Sequence, residues 1–307
     1  MTQNSQAPAT SSQTDDGKSG VSSLRALFEY KDLLVIALLV IIYWNVAREL
    51  RIGWTMTDSY YSHGFLIPFI SLFFVWRDRH ALAAIPRVPS AWGYPWVIGA
   101  TLMLLVGDFL GFGVITHLSL IPMIAGVLLL THGVQRTKRL WFPIAFLFFM
   151  IPIPTSITQS FALKLKLLAT ESAVRLANLF TLPLVREGSY VYFGDDFLLV
   201  GEVCGGLRSL IALLALGALM AYISKTHWVA RLLLFFPIAP MIAVLTNILR
   251  IFALCVVGHF YGSEVAAGTF HDVSGILIFV VAFICFFSLE GFLRKIMPAR
   301  DTKETTA

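Results

Sequence analysis

The residues best suited to chemistry are a cysteine, an arginine and a histidine that stand far apart in the sequence. Cys204 lies in the stretch GEVCGGLRS (201–209), where a polar segment meets a long apolar run. A helix that starts at this junction would place unpaired backbone N–H groups and a positive dipole end beside the sulfur, and Arg208 would add a charge. Both effects favour a thiolate over a thiol. Arg250 lies inside a later apolar run, and His271 stands at the start of the last one.

If these three side chains met, they would supply a nucleophile, a general acid/base and an anion stabiliser. Each also has a simpler interpretation. Cys204 could be incidental to a glycine-rich turn, and His271 could cap a helix. Arg250 could snorkel to the membrane interface, but an arginine near the membrane centre costs about 2.5 kcal/mol or more and usually faces a polar cavity. Whether the three residues converge therefore depends on the topology of the chain.

The composition is that of an integral membrane protein. Of the 307 residues, 57% are hydrophobic and only 13% are charged, whereas soluble domains carry roughly 25% charge. Eight apolar runs predict eight membrane spans, which lie at about 32–48, 64–76, 92–107, 112–130, 140–153, 207–223, 232–258 and 272–292. The third and fourth runs are separated only by a short glycine-containing turn, which predicts a helical hairpin. The fold class expected is an all-α polytopic membrane protein.

The distribution of basic residues predicts the orientation. With both termini in the cytoplasm, 15 of the 23 Lys and Arg residues fall on the inner side. In that orientation Cys204, Arg250 and His271 all lie near the outer leaflet. Residues 1–30 are polar and predict a disordered cytoplasmic N-terminus rather than a cleaved signal peptide. The transmembrane domain is expected over 31–295 and a cytoplasmic tail over 296–307.

One long outer segment, 154–206, leads directly into Cys204. Its first part, 156–180, has apolar residues at helical spacing, which predicts an amphipathic helix on the outer membrane surface. Its second part has two short β-prone runs around Gly194-Asp195-Asp196, which predict a hairpin just before span six.

Several other residues are weaker candidates for the same site. Tyr61 and His63, in YYSHG (60–64), either line it or belong to an interfacial aromatic belt. Glu202 would raise the pKa of the Cys204 thiol unless it pairs with an arginine. No metal-binding, ATP-binding or serine-protease motif is present, so neither a metal nor a cofactor is expected.

The ordered motifs resemble those of the exosortase/archaeosortase family, integral membrane cysteine enzymes of the cell envelope. The resemblance covers roughly 30–295 and rests on EVCGGLRS (202–209), NILRI (247–251) and FHD (270–272). YYSHGF (60–65) and IPIP (151–154) are similar to more variable family signatures. The resemblance implies that Cys204, Arg250 and His271 are catalytic. A further set is expected to bind substrate or support the site: Arg208, Glu202, Asn247, Tyr61, His63 and Asp272.

What the resemblance implies is the processing of exported proteins that carry a C-terminal sorting signal. In bacterial members this signal is a Pro-Glu-Pro motif, a transmembrane helix and a basic tail. Cys204 would form a thioacyl-enzyme, His271 would act as acid and base, and Arg250 would stabilise the oxyanion or bind the substrate's glutamate. The acceptor could be water, an envelope lipid or a glycan. The expected location is the bacterial inner membrane, with the active site facing the periplasm.

The expected partners are the exported substrates, membrane lipid and a separate periplasmic accessory protein, and nucleic acid is not expected. Two other interpretations remain open. A non-enzymatic component of exopolysaccharide or lipid-linked sugar export would explain the spans and Arg250, but it would not need Cys204. A rhomboid-like or prenyl-type protease would use other catalytic groups, whose motifs are missing here.

Overall fold

The computed structural model describes residues 30–56, 59–194, 196–201, 206–224 and 226–297, and these residues are mostly helical. They form two compact units. The first contains residues 30–49 and 68–148, and the second contains residues 50–67 together with the described residues from 149 onward. Arg250 and His271 belong to the second unit.

Within the described ranges, nine helices come before the long segment at 154–206. They are α1 (Tyr30–Ile42), α2 (Trp44–Thr55), α3 (Leu66–Arg77), α4 (Arg79–Ala84), α5 (Gly93–Phe109), α6 (Gly113–Leu118), α7 (Leu120–His132), α8 (Val134–Arg139) and α9 (Trp141–Phe146). Short 3₁₀ turns span Ser62–Phe65 and Leu147–Met150. Along the chain, the boundaries between the two units fall within α2, within α3 and within the 3₁₀ turn Leu147–Met150.

The helical hairpin predicted between the third and fourth apolar runs is confirmed by α5 and α7, which pack together. Gly111, with φ +69°, lies in the turn between them. A Cβ added to Gly93 would stand 2.5 Å from the carbonyl oxygen of Gly126, so only glycine allows this approach. In lipid there is little hydrophobic force between helices, and close packing of this kind is what holds them together.

Two pairs of polar side chains connect segments within the first unit. Arg87 donates a hydrogen bond to the buried carboxylate of Asp32 at 3.0 Å, and His117 Nε2 lies 3.0 Å from a carboxylate oxygen of Glu49. Such pairs offset the cost of polar groups in an apolar environment. They connect α1 and α2 with later segments of the same unit.

The remaining elements belong to the second unit. They are α10 (Thr155–Leu179), β1 (Val185–Glu187), β2 (Tyr190–Phe193), β3 (Asp196–Leu199), α11 (Leu207–Ile223), α12 (Trp228–Leu233), α13 (Ala239–Tyr261), α14 (Ser263–Ala267) and α15 (Thr269–Ile296). A π-helical turn, Leu234–Ile238, joins α12 to α13 and contains Pro237. Since proline cannot donate a backbone hydrogen bond, its place in an irregular turn is expected.

The predicted β-hairpin is confirmed, and a third strand that the pattern did not predict is added to it. β2 pairs with β3 in the register Tyr192↔Phe197, and β1 pairs with the other edge of β2. Val191 and Phe193 point into a core that also contains Ile251 of α13. The aromatic residues on the opposite face, Tyr190, Tyr192 and Phe197, are partly exposed and contact one another.

The helix predicted over 156–180 is confirmed by α10, and the structure adds which of its faces packs on protein. The buried face is made of small residues such as Ala169, Ala173 and Ala177, and it packs on α13. Phe161 and Leu168 are 59% and 54% exposed. Small side chains allow the two helix backbones to approach, which leaves the large apolar residues outside. Its position on the outer membrane surface remains a prediction.

Three described segments are helical, long and apolar enough to cross a membrane alone: Gly113–His132, Trp228–Tyr261 and Val273–Ile296. The number rises to five if each of two broken helix pairs counts as one span. Three shorter apolar helices lie at Ser62–Arg77, Gly93–Phe109 and Leu207–Ile223. All eight predicted runs thus overlap helical segments, while the count of eight spans remains a prediction.

We predict that Asp196 is the main polar tie between the sheet and α14. Its carboxylate accepts hydrogen bonds from the backbone N–H of Ser263 at 2.9 Å and from the Ser263 hydroxyl at 2.8 Å. These bonds lower the pKa of Asp196. Asp196→Ala should reduce the hydrogen-exchange protection factor of the Ser263 amide. The matched control is Glu187→Ala, which removes an exposed carboxylate from β1 of the same sheet.

The pH dependence of this tie has a definite sign. Because the folded-state pKa is lowered, the contribution is fully present above the ordinary value of about 3.9 and is lost as the pH falls through the folded value. The wild-type protection factor should therefore approach that of Asp196→Ala in acid. A Ser263 amide equally protected in both proteins at neutral pH would contradict the assignment.

Candidate active site

Three helices of the second unit carry the candidate residues. Arg208 is in the first turn of α11, Arg250 is in the middle of α13, and His271 is in the first turn of α15. Farther along the helices from these residues, α11, α13 and α15 share a core in which Leu213, Ala243 and Phe286 are almost fully buried. In this core a Cβ added to Gly217 would lie 2.6 Å from the Cβ of Ala239. Close helix packing therefore fixes the relative positions of the site residues.

Arg250 is buried, with 8% of its surface exposed, and it contacts α15 at several points. Its Nη2 lies 3.1 Å from His271 Nε2 and donates to the His271 carbonyl oxygen at 3.3 Å. Its Nε donates to Ser274 Oγ at 3.2 Å. These acceptors are all neutral, and none of the ion pairs among the described residues includes Arg250. The described partners of the guanidinium are therefore neutral hydrogen-bond acceptors.

The contact with Arg250 involves the Nε2 atom of the His271 ring. A guanidinium can only donate hydrogen bonds, so His271 Nε2 must be the acceptor. This contact corresponds to the tautomer that carries its proton on Nδ1. The nitrogen that could take up a proton is the one that faces Arg250.

Ser274 is a part of this cluster that the sequence did not single out. Its hydroxyl donates to the His271 carbonyl oxygen at 2.8 Å and accepts from Arg250 Nε. It is buried and lies three residues after His271, so that both residues share one side of α15. The only available signal was this i, i+3 spacing, which is common for serine in membrane helices.

A cavity of about 850 Å³ opens beside the cluster. Its polar end is formed by Arg208, Ser209, Arg250 and His271, and the rest is lined by one face of α15 from Gly275 to Ser288. A cavity with a few polar groups at one end and apolar walls elsewhere is typical of a ligand site. Two positively charged side chains at its polar end favour an anionic group or a developing oxyanion.

Asn247 packs against the chain just before α11. A Cβ added to Gly206, whose φ is +77°, would lie 2.5 Å from Asn247 Nδ2, so that glycine is required both by the backbone conformation and by the space. Asn247 is 3% exposed and lies one helical turn before Arg250. Its Oδ1 has no hydrogen-bond partner within the described ranges. Asn247 therefore supports the N-terminal end of α11.

Three other candidate residues lie wholly or partly outside the described part of the chain. Cys204 and Glu202 lie in the gap at 202–205, and the described chain resumes at Gly206. Asp272 is in the first turn of α15, but its side chain is outside the described part. Their roles remain predictions.

Tyr61 and His63 occupy a separate cluster in the same unit. The Tyr61 hydroxyl accepts from the backbone N–H of Ile153 at 3.1 Å, and its ring lies 6.0 Å from that of His63. Gly64 packs on the Trp54 indole, which donates to the Met150 carbonyl oxygen at 2.8 Å. This cluster connects the YYSHG and IPIP segments, and neither Tyr61 nor His63 lines the cavity described above.

The fold and the site together define the class of protein. A mostly helical chain with several apolar spans is a multi-pass membrane protein, here with an arginine–histidine cluster at one end of a cavity. A family model described as transmembrane exosortase matches residues 53–288. The chain therefore belongs to the exosortase family. No curated protein and no solved structure matches it.

We predict that Ser274→Ala destabilises the protein by about 1–3 kcal/mol, because the buried Arg250 Nε would lose its acceptor. Ser274→Thr keeps the oxygen and should recover part of the loss. Ser288→Ala, which changes an exposed serine on the same helix, is the control. Thermal unfolding of the purified protein in detergent measures the difference. A Ser274→Ala protein as stable as the control would contradict the hydrogen-bond assignment.

Proposed function

We propose that this exosortase is a membrane-embedded cysteine protease or transpeptidase. It would cleave exported proteins at a C-terminal sorting signal that consists of a Pro-Glu-Pro motif, a transmembrane helix and a basic tail. The observation that carries the proposal is the Arg250–His271 contact at the polar end of a cavity. Family membership adds independent support, since members are generally membrane cysteine transpeptidases.

The place of Cys204 in the sequence agrees with this role. Cys204 precedes Gly206 by two residues, and two residues of chain span at most about 7 Å. Gly206 packs on Asn247, which lies one turn from Arg250 on α13. Arg208, two residues after Gly206, lines the cavity together with Arg250 and His271. The nucleophile would therefore enter the site from the N-terminal end of α11.

The first half of the reaction begins with transfer of the Cys204 thiol proton to His271 Nε2. Protonated Nε2 can no longer accept from Arg250, so the guanidinium becomes available to donate to the oxyanion. The thiolate attacks the peptide carbonyl carbon, and Arg250 stabilises the negative oxygen. The C–N bond then breaks, the leaving amine takes the proton from His271, and a thioester remains on Cys204.

The second half transfers the acyl group to an acceptor. Neutral His271 removes a proton from the acceptor's O–H or N–H group, which attacks the thioester carbonyl. The C–S bond breaks and returns the electron pair to Cys204, whose thiolate takes the proton back from His271. The acceptor would be water, a lipid or a glycan. In the proposed topology the site faces the periplasm from the bacterial inner membrane.

We predict that Cys204→Ala abolishes processing, with a fall in rate of about three or more orders of magnitude, as expected for loss of a nucleophile. The substrate is a secreted reporter that ends in the tripartite signal, and electrophoresis measures removal of its helix. The wild-type protein should form a thioester adduct with the reporter that hydroxylamine cleaves, and the Cys204→Ala variant should form no such adduct. His271→Ala should lose about 10²–10⁴-fold as the acid/base.

The matched control is Cys285→Ser, which removes an exposed thiol from α15. It should process the reporter at the wild-type rate. Undiminished processing by Cys204→Ala would sink the cysteine-enzyme proposal. In that case the alternative of a non-enzymatic export component, which has no need of the thiol, would be favoured.

A further inference from the structure

The cavity beside Arg250 and His271 continues along α15 as an apolar groove. We call it the α15 groove and define it by six residues at helical spacing: Gly275, Ile276, Phe279, Phe283, Ile284 and Phe287. These positions form one stripe on the helix surface. The adjacent face of α15 instead packs inward, where Ile278, Ala282 and Phe286 are buried.

The groove is open to the side, and its length is close to the thickness of the hydrocarbon core of a membrane. At 1.5 Å per residue, the distance from His271 to Ser288 is about 25 Å, close to the roughly 30 Å of a hydrocarbon core. Ile276 and Ile284 are 71% and 61% exposed although the cavity lies beside them. A partner can therefore enter from the side.

The polar end of the groove indicates what the occupant is. Under the proposed function, a peptide bond must reach Arg250 and His271. Both residues line this cavity, so the substrate chain that follows the bond is expected to leave along it. The remaining cavity wall is apolar. A polypeptide in an apolar environment has to satisfy its backbone N–H and C=O groups internally, and a single segment can do so only as an α-helix.

The shape of the groove also suits a helix. Phe279, Phe283 and Phe287 are spaced four residues apart and form a ridge, in which the rings of Phe283 and Phe287 stack at 6.1 Å. Ridges of this kind fit between the side-chain rows of a neighbouring helix. Gly275 adds no side chain next to the guanidinium, since a Cβ there would lie 3.5 Å from Arg250 Nη2. A substrate helix could thus approach closely at its reactive end.

We propose that the α15 groove binds the transmembrane helix of the substrate and thereby sets the height of the scissile bond at Arg250 and His271. This inference rests on the proposed function, and it assigns the substrate's apolar helix to particular residues. The phenylalanine ridge holds the helix along its length. The polar end of the cavity receives the segment just outside the membrane.

Photocrosslinking tests the proposal without the need for turnover. Benzoylphenylalanine is placed at Phe283 or Phe287 of the Cys204→Ala protein in native membranes, with the tripartite reporter as the probe. The control position is Leu277, which is 55% exposed, close to the 57% of Phe287, and lines a different cavity. Both groove positions should crosslink to the reporter, and the control position Leu277 should give no adduct.

A second reporter, in which a polar tail replaces the apolar helix, should give no adduct at either groove position. Equal adducts from groove and control positions, or phospholipid adducts alone at Phe283 and Phe287, would overturn the assignment. Because crosslinking is read in an uncleaving variant, its failure is separate from failure of the proposed chemistry. Crosslinks at the groove positions together with no cleavage by the wild-type protein would refute only the proposed enzymatic activity.

Discussion

The structure of the second unit depends on how the charge of Arg250 is satisfied. A guanidinium in a membrane helix is costly, and here its partners are the ring and backbone of His271 and the hydroxyl of Ser274. All of these contacts are made to the first turns of α15. They fix α13 against α15, and they orient the imidazole with Nε2 toward the guanidinium. An interaction that offsets the cost of the buried charge thus also brings together the two residues to which the proposed function gives the roles of acid/base and anion stabiliser.

The packing around this cluster explains why a cavity remains beside it. Small residues bring the helices together away from the cluster, as at Gly217 and Ala239. The alanine face of α10 also packs on α13. Nearer the cluster the walls are Arg208 and one face of α15. The polar end of the cavity suits a peptide and its oxyanion, and the apolar remainder suits a membrane helix. One space can therefore combine recognition of the substrate helix with chemistry on its flanking segment.

Much of this arrangement could be predicted from sequence because hydropathy and charge bias fix depth in a membrane. They placed Arg250 and His271 at one level, and the two residues are in contact. The turn signal at Gly194 predicted the β2–β3 hairpin, whereas β1, with only three residues, lacks a period to detect. Ser274 and the small-residue face of α10 were missed, since their importance lies in contacts between helices. Tyr61 and His63 were expected to line the site or to belong to an interfacial aromatic belt. They do not line the cavity, and Tyr61 instead contacts the IPIP segment.

The central claim is that Cys204 is an activated, outward-facing nucleophile that works with Arg250 and His271. The most direct test is the rate of alkylation of Cys204 in intact cells as a function of pH, with a membrane-impermeant reagent and a Cys255→Ser/Cys285→Ser background. The account predicts rapid labelling well below the pKa of about 8.5 of an ordinary thiol, and slower labelling in His271→Ala or Arg250→Ala. Labelling only after permeabilisation, or the profile of an ordinary thiol, would contradict it.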